Sequence, residues 1–184
     1  MSFIFTPQQI EGLVIITRKN ITDNRGSFAE IYKRSDFMTA GISEEFVQDN
    51  YSHSDSRVLR GLHYQKDPHA QSKIVTCLHG SILDVAVDLR PDSKTYGQYE
   101  KFILSEDECR MLYIPAGFAH GFVVLSDGAD LLYKVSGEYA PGFEGGIIWN
   151  DADLNIDWEI DFAPVISKKD ALLPKLRDLR EGVI

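Results

Sequence analysis

One segment alternates so strictly that it constrains the whole chain. In Ser81-Ile82-Leu83-Asp84-Val85-Ala86-Val87-Asp88-Leu89 the odd positions from Leu83 onward are all large and aliphatic, while Asp84 and Asp88 fall on the other side. A period of two residues is that of a β-strand. Lys73-Ile74-Val75-Thr76-Cys77-Leu78 is a second run, joined to the first through His79-Gly80, which reads as a hairpin turn. Leu13–Thr17, Phe28–Tyr32, Phe46–Ser52, Tyr99–Leu104, Arg110–Ile114, Gly121–Leu125 and Leu131–Val135 are further candidates. Short strands separated by turn signals predict a mainly β protein, a sandwich or barrel, with few helices. Ser35–Ala40 is predicted as a short helix capped by Ser35, and Ser167–Leu179 as a helix capped by Ser167 and interrupted at Pro174.

A length of 184 residues suits one domain with a substantial core. The apolar run Leu13-Val14-Ile15-Ile16 ends at Arg18 and Lys19, too short to cross a bilayer, and no basic segment followed by an apolar stretch opens the chain. The expectation is a cytoplasmic protein. Cys77 and Cys109 belong to no motif and read as reduced core thiols, with a single disulfide as the alternative. The net charge of −9 argues against nucleic acid or an anionic membrane as partner. A few cations converging in one pocket would still hold a small diphosphate.

Three polar segments interrupt the apolar pattern. In Arg60-Gly61-Leu62-His63-Tyr64-Gln65, Arg60 and His63 point to opposite sides of a regular strand unless a bulge at Gly61 intervenes. The bland alternative is a surface strand with solvated charges. In Ile114-Pro115-Ala116-Gly117-Phe118-Ala119-His120-Gly121-Phe122, Pro115 and Gly117 shape a turn that delivers His120 into an apolar strand. A histidine so placed is often only a hydrogen-bonded core residue, but the Pro-x-Gly-x-x-His spacing resembles the second signature of the cupin superfamily. In Leu131-Leu132-Tyr133-Lys134-Val135-Ser136-Gly137-Glu138-Tyr139, the two tyrosines would share a face of one straight strand. Metal-binding cupins carry His-x-His and then Glu in their first motif. Here Gln65 stands in place of the second histidine, and no glutamate follows at the expected distance. His63 and His120 alone are too few ligands, so no metal and no other cofactor is expected.

Taken together, Asp23-Asn24-Arg25-Gly26-Ser27-Phe28, Gln48-Asp49-Asn50, the Arg60–Gln65 segment, Asp84–Arg90, the Ile114–Phe122 segment, Tyr133-Lys134 and Ile148-Trp149-Asn150-Asp151 resemble the dTDP-4-dehydrorhamnose 3,5-epimerase family, from about Leu13 to Leu172. The resemblance implies a cupin-type double-stranded β-helix, a jelly-roll barrel with a few short helices, occupying residues 1–184 as one epimerase domain. It implies His63 as the base, Asp170 of Ser167-Lys168-Lys169-Asp170 as its partner, Tyr133 as the acid and Lys73 as the enolate-stabilising cation. Sugar and nucleotide contacts carry over to Arg25, Glu30, Gln48, Asn50, Arg60, His120, Glu144 and Lys169, and thymine stacking to Tyr139. The family often has another residue at Lys169. The implied substrate is a dTDP-linked 4-keto-6-deoxy sugar, and the implied assembly a homodimer in which N-terminal segments help to build the neighbour's site.

These residue types suit that reaction. A C4 ketone acidifies the protons on C3 and C5, a histidine can remove one near neutral pH, and a cation must meet the charge that develops on O4. Inversion needs a second group on the far face, because a lone base mostly returns the proton to its own side. The other readings are an epimerase acting at C3 or C5 alone, a barrel that only binds carbohydrate, and a metal-dependent isomerase.

Overall fold

The computed structural model describes residues 2–179. Its strands in chain order are β1 (Phe3–Pro7), β2 (Val14–Arg18), β3 (Ile21–Asp23), β4 (Gly26–Phe28), β5 (Gln48–Asp55), β6 (Leu59–Gln65), β7 (Lys73–His79), β8 (Ser81–Asp88), β9 (Tyr99–Ser105), β10 (Arg110–Ile114), β11 (Phe118–Val124), β12 (Gly128–Val135) and β13 (Glu144–Gly146). One helix, α1 (Arg34–Thr39), follows β4, and two 3-10 turns, Asp170–Leu172 and Leu176–Asp178, follow β13. A six-stranded antiparallel sheet in the order β1-β2-β10-β7-β12-β5 faces a five-stranded sheet in the order β13-β6-β11-β8-β9. The two close on one another as the jelly-roll barrel of the cupins.

The alternation in Ser81–Leu89 has a different meaning from an inside and an outside. Leu83, Val85 and Val87 pack on the outer side of their sheet beneath Leu154 and Trp158, while Ile82 and Ala86 join the barrel core with Val75, Leu112, Phe122 and Leu131. Strand β8 is therefore buried on both faces, and Asp84 and Asp88 point into the barrel with no exposed surface. The six-stranded sheet is covered in the same way, by Phe37 and Ile42 over Ile16, Ile74 and Met111. Each such apolar side chain contributes about 1.5–3 kcal/mol when fully buried. An unpaired buried polar group costs about 1–3 kcal/mol. The inward carboxylates thus need partners to be tolerated.

Several expectations are corrected. β7 and β8 do not pair as a hairpin, because they lie in different sheets. Gly80, with a φ of +74°, turns the chain from one sheet to the other, and a Cβ there would sit 2.0 Å from the Gly128 carbonyl oxygen. The run Phe28–Tyr32 is not a strand, since β3 and β4 pair as a separate two-stranded arm that stops at Phe28. The Phe46–Ser52 strand lies at Gln48–Asp55, and the Gly121 strand begins earlier, at Phe118. The short helix starts after Lys33, so Ser35 is inside its first turn and does not cap it. Ser167–Leu179 is no helix. Pro174 separates its two 3-10 turns, although the Ser167 Oγ does accept a bond from the Asp170 N–H at 3.0 Å. Tyr139 lies beyond the end of β12 and shares no strand with Tyr133. Both cysteines are free, Cys77 buried and Cys109 in a left-handed turn outside the core.

Candidate active site

Along the inner face, the strands change from apolar to polar. β7 presents Cys77 and Val75 and then Lys73, and β12 presents Ala129 and Leu131 and then Tyr133. The opposite sheet contributes His63, His120 and Asp84 to the same interior. Two features of β6 decide this placement. His63 pairs with His120, but Arg60 pairs with Phe122, so Gly61 and Leu62 of β6 stand opposite the single Gly121 of β11. That extra residue is a β-bulge, and it turns Arg60 and His63 to the same side. Gly61 makes it feasible, with a φ of +124° and a position where a Cβ would lie 2.6 Å from the Gly121 Cα.

The bulge also leaves the Gly61 N–H unpaired in the ladder, and Asp170 takes it. The Asp170 Oδ2 accepts this N–H at 3.2 Å, and its Oδ1 lies 2.8 Å from the His63 Nε2. A carboxylate only accepts, so the ring hydrogen resides on Nε2 and the Nδ1 lone pair is left as the basic site. Burial lowers the His63 pKa, and the attraction of Asp170 only partly offsets this. The ring is therefore neutral near pH 7, as a base must be. Directly across the ladder, His120 is held in the same fashion, with its Nε2 2.8 Å from the Asp84 Oδ2.

Lys73 reaches back along the barrel and donates from Nζ to the His63 carbonyl oxygen at 3.4 Å. Burial pulls its pKa down to about 8, against the attraction of Asp84. Tyr133 packs on the barrel core, its ring centroid 6.2 Å from that of His120 in an edge-to-face arrangement. Burial raises its pKa well above that of an exposed tyrosine, so it carries its proton at neutral pH.

A cavity of about 690 Å³ opens onto His63, Lys73 and Asp170, with Tyr139, Glu144 and Lys169 at its mouth. Glu144 accepts bonds from the Tyr139 hydroxyl, from Lys169 at 3.1 Å and from the Gly142 N–H, and these hold its pKa at about 2. The Tyr139 backbone is anchored by its N–H donating to the Gln48 Oε1 at 3.0 Å, and the Gln48 amide donates to the Asn50 Oδ1 at 2.7 Å. Arg60 borders an adjoining cleft of about 320 Å³ with His63, its Nε bonded to the Ser54 Oγ at 2.9 Å.

Of the expected contact residues, Tyr139, Glu144 and Lys169 line this cavity and Arg60 the adjoining cleft, Gln48, Asn50 and His120 line neither, and two lie farther off. Arg25 lies on the β3–β4 arm, exposed, with its guanidinium 2.6 Å from Asp23, and Glu30 is bonded to Ser2. Neither borders the cavity. Sequence patterning missed one group, Asp84. Its signal was present, as a carboxylate placed between Leu83 and Val85 in a strand with no polar flank long enough to be a solvent face. Among the described residues no cluster of three His, Cys, Asp or Glu could hold a metal ion. Gln65, standing at the cupin ligand position, is committed to the backbone through the His69 and Glu138 carbonyls and the Ala140 N–H.

A family model described as dTDP-4-dehydrorhamnose 3,5-epimerase matches residues 7–178. The chain belongs to this family. It is 46% identical to the dTDP-4-dehydrorhamnose 3,5-epimerase of Salmonella typhimurium, over 91% of this chain and 92% of that protein. Its structure is similar to that of a dTDP-6-deoxy-D-glucose-3,5-epimerase from Legionella pneumophila in complex with dTDP-4-keto-L-rhamnose, with 42% identity, a TM-score of 0.95 and coverage of 99% and 97%. It is also similar to a 3'-monoepimerase from Streptomyces bikiniensis in complex with dTDP-quinovose, with 34% identity, a TM-score of 0.87 and coverage of 93% and 87%. Members of this family are isomerases, and the cupin-like barrel is of that kind. No helix among the described residues is long and apolar enough to cross a membrane.

Proposed function

We propose that the chain converts dTDP-4-dehydro-6-deoxy-D-glucose to dTDP-4-dehydro-L-rhamnose, by inversion at C3 and C5, as a step of dTDP-L-rhamnose biosynthesis. The observation that carries this reading is the His63–Asp170 pair facing a cavity shared with Lys73, with Tyr133 deeper in the same barrel. A barrel that only binds sugar has no need of a base with a fixed tautomer, a buried ammonium and a protonated phenol.

In this reading, the His63 Nδ1 takes the proton from the carbon beside the ketone, and Asp170 stabilises the imidazolium that forms. The Lys73 ammonium meets the negative charge on O4. Tyr133 gives a proton to the opposite face of the same carbon, which completes the inversion. His120, Gln48, Asn50 and Arg60 orient the sugar and diphosphate, Lys169 and Glu144 hold the nucleotide end, and Tyr139 stacks on thymine. The identities to double epimerases, 46% and 42%, exceed the 34% to the monoepimerase, which favours action at both carbons.

The β3–β4 arm supports a homodimer. Its strands are exposed throughout, Ile21 and Phe28 are 59% and 67% exposed, and Arg25 does not line its own cavity. Strand β5 is an unpaired edge with exposed Tyr51. In a dimer the arm of one copy covers its neighbour and delivers Arg25 and Glu30 to the neighbour's diphosphate and sugar.

The deciding experiment is proton NMR of dTDP-4-keto-6-deoxy-glucose incubated with the protein in D2O and chelator. Loss of signal at C3 and C5 with formation of the L-sugar supports the double epimerase. Exchange at one carbon shows a monoepimerase, and no exchange at either overturns the reading.

A further inference from the structure

The motif Asp84–Arg90 places a carboxylate where the reaction as described has no use for one. Asp84 is fully buried on the inner face of β8. Its Oδ2 is bonded to His120, and its Oδ1 is buried without any hydrogen-bond partner. A carboxylate oxygen shut away from water in this manner needs a positive charge nearby. The ionisable groups around it are His120 on β11, Lys73 and Cys77 on β7, and Tyr133 on β12, with His63 on β6 behind them. His63 is already matched to Asp170, and His120 needs only the one oxygen it has. Arg60, in register with Asp84 across Phe122, is committed to the Ser54 Oγ and the His53 carbonyl, which leaves Lys73 as the cation free to answer Asp84. Among the described residues no carboxylate lies within salt-bridge distance of its ammonium, and Asp84 is the charge that acts on it.

We propose that Asp84 is a positioning residue that acts through two neighbours, holding Lys73 in its ammonium form by its charge and fixing His120 by its hydrogen bond. The proposal rests on the assignment of Lys73 as the cation that meets the enolate. Its physical content is independent of that assignment. Without a counter-charge, burial would draw Lys73 further toward its neutral amine, which offers the developing oxyanion far less. Lys73 titrates at about 8 even with the attraction of Asp84 included. The two halves of the role are coupled, because one rigid carboxylate sets both the charge of the lysine and the tautomer of the histidine. No proton passes through Asp84 in this scheme.

The test is the titration of Lys73 itself, followed by NMR of lysine labelled at Cε, with the resonance assigned through Lys73→Arg. In Asp84→Asn the Lys73 midpoint is expected to fall by about one pH unit or more, the usual size of an effect from a nearby opposite charge. The alkaline limb of kcat/KM should move down with it, and kcat should fall more than KM rises. Asp84→Glu, which keeps the charge, should restore the midpoint in part. An unmoved Lys73 midpoint in a folded Asp84→Asn protein overturns the proposal. In the unaltered protein, the Asp84 Cγ resonance should show an inflection at the pH where Lys73 loses its proton, and its absence also overturns the proposal, with no variant required. Both readouts need no substrate, so loss of the epimerase reading would leave them intact.

Discussion

His63 and His120 lie opposite one another on β6 and β11, and each ring turns its Nε2 to a different carboxylate, Asp170 from the C-terminal segment and Asp84 from β8. The pairing sets one tautomer for both rings and leaves both Nδ1 atoms without a protein partner among the described residues. A metal cupin would use such neighbouring histidines as ligands. Here a carboxylate takes the Nε2 of each ring from behind.

Asp170→Asn should therefore reduce kcat sharply without unfolding the barrel. The amide can still meet the Gly61 N–H through its oxygen, but it no longer stabilises an imidazolium. The expected loss is about 10²–10⁴, the range for general acid–base assistance. Steady-state kinetics beside a thermal melt would check it, and a loss below tenfold would remove Asp170 from the mechanism.

Tyr133→Phe separates the two proton transfers. With His63 intact, deuterium from solvent should still enter the substrate, while inversion at the carbon served by Tyr133 stops. NMR in D2O reads both events in one sample. Inversion at the normal rate would mean that another group supplies the far-side proton.

The pH profile follows from two directions of shift. His63 must be neutral to act, and burial places its pKa below the ordinary 6.5, so kcat/KM should rise through a midpoint lower than 6.5. Lys73 must be charged, so the rate should fall again through about 8. A fall only near 10.5, the value for an exposed lysine, would show that the buried ammonium is not required.

Arg25→Ala should weaken substrate binding by about 10- to 100-fold, the equivalent of one hydrogen bond to a charged group at about 1.5–3 kcal/mol. Mixing that protein with a His63→Asn protein should restore activity, because a mixed dimer contains one site with both an intact base and an intact arm. Kinetics after subunit exchange checks this, and the absence of any recovery would mean that the arm serves its own chain.

Asp88 predicts acid sensitivity. Burial alone would raise its pKa, but bonds from Arg90, Ser93 and Thr95 outweigh that and hold it at about 2. A carboxylate depressed on folding stabilises the native state above its unfolded value near 3.8, and that contribution is lost as pH falls from there toward 2. Denaturant melts of Asp88→Asn should show reduced stability at neutral pH and a smaller change over that acid window than the unaltered chain.

Much of the fold was legible in the sequence, because short alternating runs between turn residues bury apolar surface efficiently only as facing sheets. The resemblance to the family likewise pointed to His63, Lys73, Tyr133 and Asp170. Local pattern could not say which side chains would meet. A period of two separates Arg60 from His63, and only the bulge against His120 and Phe122 reunites them. The same period made Asp84 look like an outer face, since a strand covered on both sides shows the same alternation as one facing water. Asp170 comes from a segment more than a hundred residues beyond His63 in the chain, and it docks because the bulge frees the Gly61 N–H from the ladder. Arg25 kept its place in the motif but stands apart from its own cavity, because the β3–β4 arm carries it outside the barrel. Sequence determined the strands through local periodicity, and the types of the site residues through the resemblance of its motifs to the family. Tertiary structure alone decided which of them meet and what charge each carries, because burial and neighbouring groups are made only when the sheets close.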